Sequence, residues 1–318
     1  MKKLLFSFSY FTAILGLIIL VVFYLGYSSL NNSRYFKIST DSKILVLGHS
    51  HPECAFNNRI ILNLTNLGKS GETYFYTYLK LKKILPQNKQ IKFVLLEFEN
   101  SEVDTVMNSW TWDDSHIYHM FPRYFPLMDK SDLKFILSKN SKAIFNCLPR
   151  NFINEFGFNI YSNYLKKKGI ISNKRFGGYN GLKRNKVDTI TNNSSKYKSL
   201  NNNAIPFCNV FYLQKIVNFC NSNKVKIFFI RSPFHRNYKY AVNESKYNMV
   251  KKKYFSRVEL LDFKDFHLSS TDYGDLGHLN YSGSNKFSIF FNKLLNLGLL
   301  DKVDKATFIK NEIHKNYY

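Results

Sequence analysis

The sequence predicts an α/β fold of three layers, α/β/α, with a mainly parallel five-stranded sheet, preceded by one transmembrane helix. Three observations carry that expectation. Short runs of strand-forming residues alternate with segments whose apolar residues recur at helical spacing, as in parallel strands joined by crossover helices. Reactive residue types recur just after the strand runs, where open parallel sheets gather their ligands. Ahead of everything lies an uncharged stretch from Leu4 to Ser33.

That stretch comes first. Its core, "LLFSFSYFTAILGLIILVVFYLGY" (4–27), is long enough to cross a bilayer as a helix. It is longer than the apolar centre of a signal peptide, and no A-x-A cleavage pattern follows it. Residues 1–30 are therefore expected to be an uncleaved anchor, with a buried soluble helix as the alternative. Lys2 and Lys3 favour a cytoplasmic N-terminus, although Arg34 and Lys37 sit on the other flank. The expected location is the cell membrane, single-pass, with the domain extracytoplasmic.

A polar linker (31–42) leads to the domain, expected over 43–300. "KILVLG" (43–48) reads as a buried strand. "IILNLTNLG" contains a weaker one ending at Gly68. Residues 71–85 have helical spacing and stop at Pro86. "IKFVLLEFE" (91–99) is the third strand. The stretch from about 105 to 204 is rich in Asn, Lys, Tyr and Ser and reads as an insertion, helical around 131–155 and irregular beyond. The alternation then resumes with a helix at 205–223, a strand at 224–233, a helix at 244–255, a strand at 258–263 and a helix at 281–298. Residues 301–318 read as a tail.

Bulk properties narrow the partners. The chain of 318 residues is 45% hydrophobic, enough for a sizeable core. Its net charge of +24 is spread along the whole length, with runs at Lys166–Lys168 and Lys251–Lys253. Such an excess is either a solvated lysine surface or an attraction to phospholipid headgroups or an acidic glycan. No nucleic-acid signature accompanies it, so no nucleic-acid partner is expected. Cys54, Cys147, Cys208 and Cys220 form no C-x-x-C pair, which argues against a structural zinc site. Cys208 and Cys220 fall on one predicted helix, roughly 18 Å apart, too far to bridge.

The chemistry concentrates at two places. Gly48-His49-Ser50-His51 ends the first strand, and Asp275-Leu276-Gly277-His278 follows the last. A serine hydroxyl is a poor nucleophile unless a base stands within hydrogen-bond reach and a carboxylate orients that base. A D-x-x-H loop supplies both. Acyl transfer also needs donors at the developing oxyanion. The Ser50 backbone N–H, a glycine N–H after the second strand (Gly68 or Gly71) and the Asn100 side chain are the candidates. His49, His51, Arg231 and His235 are candidate substrate contacts. Each has a plainer reading: Ser50 as a helix cap, His278 as a packing residue, Asp275 as a turn residue, Asn100 as a loop cap, the glycines as turn formers.

This arrangement resembles the SGNH (GDSL-like) hydrolase superfamily: Gly-x-Ser after strand one, glycine after strand two, asparagine after strand three and Asp-x-x-His near the C-terminus. More narrowly, with "HLNYSG" leading into a helix, it is similar to the membrane-anchored SGNH-like proteins of bacterial envelope polysaccharide biosynthesis, several of which are O-acetyltransferases. The match covers about 40–110 and 205–298. The resemblance implies a flavodoxin-like sheet, Ser50 as nucleophile, His278 as base, Asp275 as its partner, and Ser50, Gly68, Gly71 and Asn100 at the oxyanion. No cofactor and no metal are expected. The implied partners are an envelope glycan as acceptor and a multi-spanning membrane acyltransferase as acyl donor. Two departures stand out: the family's Gly-Asp-Ser is Gly48-His49-Ser50, and its Gly-x-Asn-Asp is reduced to Glu99-Asn100.

Three other functions fit the same residues. A carbohydrate esterase has the same triad with water as acceptor. A non-catalytic envelope scaffold or glycan-binding protein keeps the fold alone. A metal-dependent hydrolase uses His49 and His51, with Glu53, Cys54, His267, His278 and Asp272 or Asp275 as further donors.

Overall fold

The computed structural model describes the backbone of residues 2–31, 36–167, 175–187, 204–238 and 243–317. In chain order the elements are α1 (Lys2–Asn31), β1 (Ile44–Leu47), α2 (Ser50–Ala55), β2 (Leu64–Asn66), α3 (Tyr74–Ile84), β3 (Phe93–Glu97), α4 (Met107–Trp110), α5 (Asp114–Tyr124), α6 (Lys130–Lys167), α7 (Phe207–Ser222), β4 (Lys226–Arg231), α8 (Glu244–Phe255), β5 (Glu259–Asp262), β6 (Tyr273–Asp275), β7 (His278–Leu279), α9 (Tyr281–Asn296) and α10 (Lys305–Tyr317). They fall into two compact units, Met1–Lys37 with Trp112–Arg175, and Ile38–Thr111 with Phe176–Tyr318.

The first unit is helical. α5 starts at Asp113, whose carboxylate accepts from the Ser115 N–H at 2.8 Å and so satisfies an end-group donor. α6 is interrupted at Asn140 (φ −157°, ψ 78°). The Asn140 side chain turns back to the Trp112 carbonyl (3.0 Å) and Asp114 (2.6 Å), tying the break to the start of α5. Along α1, Leu4, Phe6, Phe8, Phe11, Leu17 and Leu20 are exposed. The expected transmembrane helix is not found: among the described residues no helix is long and apolar enough to cross a membrane. The side chains at 19, 22–23 and 25–31, which carry part of that apolar stretch, lie outside the described residues.

The second unit holds the five-stranded sheet, in the order β2-β1-β3-β4-β5 with every pairing parallel. Its strands are short runs of Ile, Leu, Val and Phe, and β1 is buried from end to end. Alternation sends Ile44, Val46, Leu95, Phe228, Ile230 and Leu261 into one core with Phe287, Phe290, Phe291 and Leu294 of α9. Phe56, Phe263, Phe287 and Phe291 interlock there at centroid distances of 5.0 to 6.0 Å, each ring worth roughly 1.5–3 kcal/mol of burial. On the other face Phe229 packs on Phe255 of α8, and Phe75 of α3 on Tyr212 of α7. The strand order reverses at β1, which continues to β2 on one side and is flanked by β3 on the other. A crevice at the carboxyl ends of β1 and β3 is thus the expected ligand position.

The segments outside the alternation turned out differently from their sequence reading. Of the 105–204 stretch, 112–175 belongs to the first unit, whereas 105–111 and 176–187 belong with the sheet. The irregular segment expected after the helix falls largely on 168–174 and 188–203, outside the described residues. Residues 301–318 are more than a tail: α10 buries Ile309 and Ile313 in the main core. All four cysteines are free.

Candidate active site

The chain leaves β1 through Gly48, at φ +131°, a left-handed value that L side chains rarely adopt. A Cβ there would lie 2.6 Å from the Glu97 Cβ, so glycine lets β1 and β3 end side by side. α2 begins at once with Ser50. Its N-cap is His49, whose Nδ1 accepts from the His51 N–H at 3.4 Å. As the first helical residue, Ser50 presents an N–H that helix geometry leaves without an intrahelical acceptor. Asn66 holds the far end of α2: its Nδ2 donates to the carbonyls of Pro52 (2.7 Å) and Phe56 (2.8 Å).

Asp275 and His278 face each other across a two-residue turn, Leu276-Gly277, between the antiparallel β6 and β7. His278 Nδ1 lies 2.6 Å from Asp275 Oδ1, and His278 Nε2 lies 2.7 Å from Ser50 Oγ. The Gly277 N–H also donates to Asp275 Oδ1 at 3.0 Å. Burial works against the Asp275 charge, yet hydrogen bonds from His278, Arg184 and Gly277 hold its carboxyl well below the usual carboxylate range. The carboxylate therefore stays ionised and can orient the imidazole and stabilise its protonated form.

Asn280, Ser282 and Gly283 of "HLNYSG" have structural roles. Asn280 caps α9 by accepting from the Gly283 N–H at 3.1 Å and donates to the Thr271 carbonyl at 2.7 Å. A Cβ on Gly283 would come within 2.1 Å of the Asp272 carbonyl oxygen. These contacts seat the hairpin on the helix behind it.

Arg184 completes the carboxylate's shell: its Nη2 donates to Asp275 Oδ2 at 2.6 Å. It arrives on the returning segment 176–187, which is stitched to the hairpin by Lys186 N to Gly274 O (3.0 Å) and Tyr281 N to Leu182 O (2.8 Å). Gly177, at φ +116°, passes so close that a Cβ would sit 2.3 Å from the Leu67 carbonyl oxygen. Buried Lys80 donates to the carbonyls of Leu67 (2.6 Å) and Phe176 (3.0 Å) and pairs with Glu72 at 2.7 Å. No periodic or motif signal marked Arg184 in the sequence.

Several candidates are engaged elsewhere. The Asn100 side chain does not serve as an oxyanion donor in this arrangement: its Nδ2 donates to Glu244 (2.9 Å) and its Oδ1 accepts from Arg231 (2.9 Å). Arg231, only 2% exposed, is engaged by Glu244, Asp262 and Asn100 and lies over the Tyr247 ring, as a structural cation is. The His235 ring contacts Ser270 through Nε2 (3.2 Å) and accepts from the Asn237 N–H through Nδ1 (3.2 Å), while its backbone N–H donates to the Leu276 carbonyl. It supports the hairpin turn. The Gly68 N–H is taken by Asn66 Oδ1 at 2.8 Å. Gly71 lies in the left-handed region (φ 75°), in the turn before α3.

His49 and His51 flank the serine in a buried setting. The His51 ring meets His49 at 4.7 Å, His278 at 5.0 Å and Tyr238 at 5.4 Å, edge to face each time. Burial, reinforced by the neighbouring imidazole His51, lowers the His49 pKa to about 3. His51 is likewise held well below its ordinary value by burial and by His278. The wider metal set does not assemble. Asp272 is paired with Lys286 (2.8 Å) and Ser282 (2.7 Å), the Glu53 carboxylate accepts from the Ser70 N–H (2.8 Å), and His278 uses both ring nitrogens in the triad. Among the described residues, the group able to hold a metal ion is His49, His51 and Glu99.

Among known proteins, the model of an uncharacterised family matches residues 179–299. That span holds Arg184, β4, β5 and the Asp275–His278 hairpin, but not Ser50. No curated protein matches the chain.

Proposed function

We propose that this chain is a membrane-anchored serine acyltransferase of the SGNH type that modifies a cell-envelope polysaccharide, by O-acetylation through an acyl-Ser50 intermediate. The observation that carries the reading is the continuous relay Ser50 Oγ, His278 Nε2, His278 Nδ1, Asp275 Oδ1, at 2.7 and 2.6 Å. In the first half-reaction His278 takes the Ser50 proton as Oγ attacks the acyl carbonyl, then returns it to the departing donor group. In the second a sugar hydroxyl gives its proton to His278 and attacks the acyl-serine; the acyl–Oγ bond breaks, and His278 returns the proton to Ser50 Oγ. The Ser50 and Gly71 N–H groups are the proposed oxyanion donors, since Gly68 and Asn100 are spoken for.

The exposed apolar side chains of α1 favour a single-pass anchor in the cell membrane, with the catalytic domain extracytoplasmic as the flanking lysines suggest. A domain so placed has no direct access to cytosolic acyl donors, so a multi-spanning membrane acyltransferase is the proposed donor and an envelope glycan the proposed acceptor. No cofactor enters this mechanism. The same relay with water as acceptor makes an esterase.

The test is to incubate the full chain with a chromogenic acetyl ester and follow both turnover and intact mass. The expected result is an acetyl adduct that disappears in Ser50→Ala, and release that speeds up when a glycan acceptor is added. Turnover unaffected by Ser50→Ala would end the reading; turnover without acceptor dependence would favour the esterase. A wild-type chain with neither adduct nor turnover on several acyl esters would favour a non-catalytic envelope protein.

A further inference from the structure

Among the described residues, three buried polar atoms near Ser50 make no hydrogen bond: His49 Nε2, His51 Nδ1 and Glu99 Oε2; His49 Nε2 stands 3.6 Å from the other Glu99 oxygen, Oε1, and equally far from Glu102. Leaving such an atom without a hydrogen bond is unfavourable, and native structures contain few. Here the three come from residues whose ligand atoms lie within 4.8 Å of one another. His51 is 5% exposed and Glu99 1%. Two converging imidazoles and a carboxylate make a donor set for a small cation.

We propose that His49, His51 and Glu99 form a binding site for one divalent transition-metal ion, Zn2+ by the character of its donors, at the turn that carries Ser50. Two histidines and one glutamate, with an open fourth position, are a recurrent Zn2+ ligand set. The supports are in place. His51 Nε2 lies 3.4 Å from the Tyr238 hydroxyl, so its proton can sit there and leave Nδ1 free to ligate. The other Glu99 oxygen, Oε1, accepts from the Ser101 hydroxyl. The Glu102 carboxylate stands 3.6 Å from His49 Nε2, near enough to supply a fourth donor after a small rotation.

One contact opposes the site. Ligation through His49 Nε2 places the ring proton on Nδ1, which must then give up the N–H it accepts from His51 at 3.4 Å. That bond is long and weak, and three ligand bonds to the metal outweigh its loss. Magnesium and calcium, which prefer oxygen ligands, should not bind here.

The full chain, stripped with a chelator, is incubated with Zn2+, desalted and assayed for bound metal. One retained equivalent is expected, with Co2+ in its place giving the visible bands of a low-symmetry nitrogen and oxygen site. Glu99→Gln and His49→Gln should each weaken retention by more than about tenfold, while His267→Gln changes nothing. Circular dichroism and melting temperature show whether the variants fold; Glu99→Gln preserves volume and is the decisive one. Ser50→Ala should bind the ion as the wild type does, so that failure of the acyltransfer reading and failure of this one are told apart. A folded wild type that retains no Zn2+, or retention that survives both Glu99→Gln and His49→Gln, overturns the proposal. In that case His49 Nε2–H points to Glu99 and Glu102 as a plain support of the turn.

Discussion

Beyond β4 and β5, Arg231 is almost fully buried, yet its donors reach Asp262, Glu244 and Asn100. Beyond β1 and β3, His51 and Glu99 are also buried and His49 nearly so, but each keeps a polar atom that makes no hydrogen bond among the described residues. The two corners share one edge of one sheet, and each sets cationic or basic side chains against glutamate. The first pairs its charges to fix the ends of β3, β4 and β5. The second keeps unpaired polar atoms under burial, which structures tolerate where the chemistry needs them. The Ser50–His278–Asp275 relay stands beside the unsatisfied corner.

Removing the nucleophile should produce the largest effect. Ser50→Ala is expected to lower turnover of an activated ester by roughly 10^4-fold or more, with His278→Ala close behind. Because the residues act as a unit, the double variant should be no worse than the more damaging single one, as kcat measurements on all three would show. Losses that multiply instead would mean that the two side chains act independently.

Arg231→Met breaks the satisfied corner. It strands Glu244 and Asp262, and breaking a buried pair costs about 3–5 kcal/mol. Water reaches both partners here, at 35% and 28% exposure, so the lower end of that range is expected, in a urea unfolding midpoint. If Arg231 were a substrate contact, the variant would instead keep its stability and raise KM.

This contrast marks where sequence reading reaches its end. The sheet was legible because its strands are unbroken runs such as "KIFFIR" (226–231) and "FVLLE" (93–97), whose character survives any choice of partner. Asp275 and His278 were legible because the turn between them is two residues long, so their meeting is a local event. Asn100 and Arg231 were placed at the correct strand ends, but the direction of a side chain there depends on charges 13 to 144 residues away in sequence. α10 was missed because only Ile309 and Ile313 among its residues enter the main core, too few to give a helical pattern in a lysine-rich stretch. Arg184 lies in a polar segment with no period, held in place by backbone hydrogen bonds.

Glu97 offers a pH test of the edge between the two corners. It is fully buried, and burial pushes its carboxyl up to about 8, against two hydrogen bonds from Ser232. An ordinary carboxyl in the unfolded chain loses its proton near pH 4–5. Between that pH and about 8 the folded state holds a proton that the unfolded state has released. Stability should therefore fall as pH rises across this window, by up to about 1.4 kcal/mol per pH unit, and the effect vanishes below it. Glu97→Gln keeps the contacts to Ser232 and removes the proton, so its unfolding free energy should lose that slope. An unchanged slope in the variant would assign the titration to Glu102, which burial and its neighbouring carboxylates also push up.

The smallest effect is expected at Arg184, where it bears most directly on the relay. Arg184 touches neither the nucleophile nor the base; it holds the second oxygen of Asp275. The side chain is 49% exposed, so water and salt screen its charge, and exposed pairs are worth about 0.2–1 kcal/mol. Arg184→Ala should then lower kcat by roughly two- to fivefold, leave KM for a small ester unchanged and leave the melting temperature nearly so. The loss should shrink as ionic strength rises, and Arg184→Lys should recover part of it, since the charge returns without the guanidinium's fixed geometry. The effect should also disappear in an Asp275→Asn background, where Arg184 has no carboxylate to hold; that cycle separates a positioning residue from a surface cation. If Arg184→Ala instead raises KM for a polymeric anionic glycan and spares kcat, the guanidinium serves the acceptor directly, and segment 176–187 would then be part of the substrate groove as well as the support of the triad.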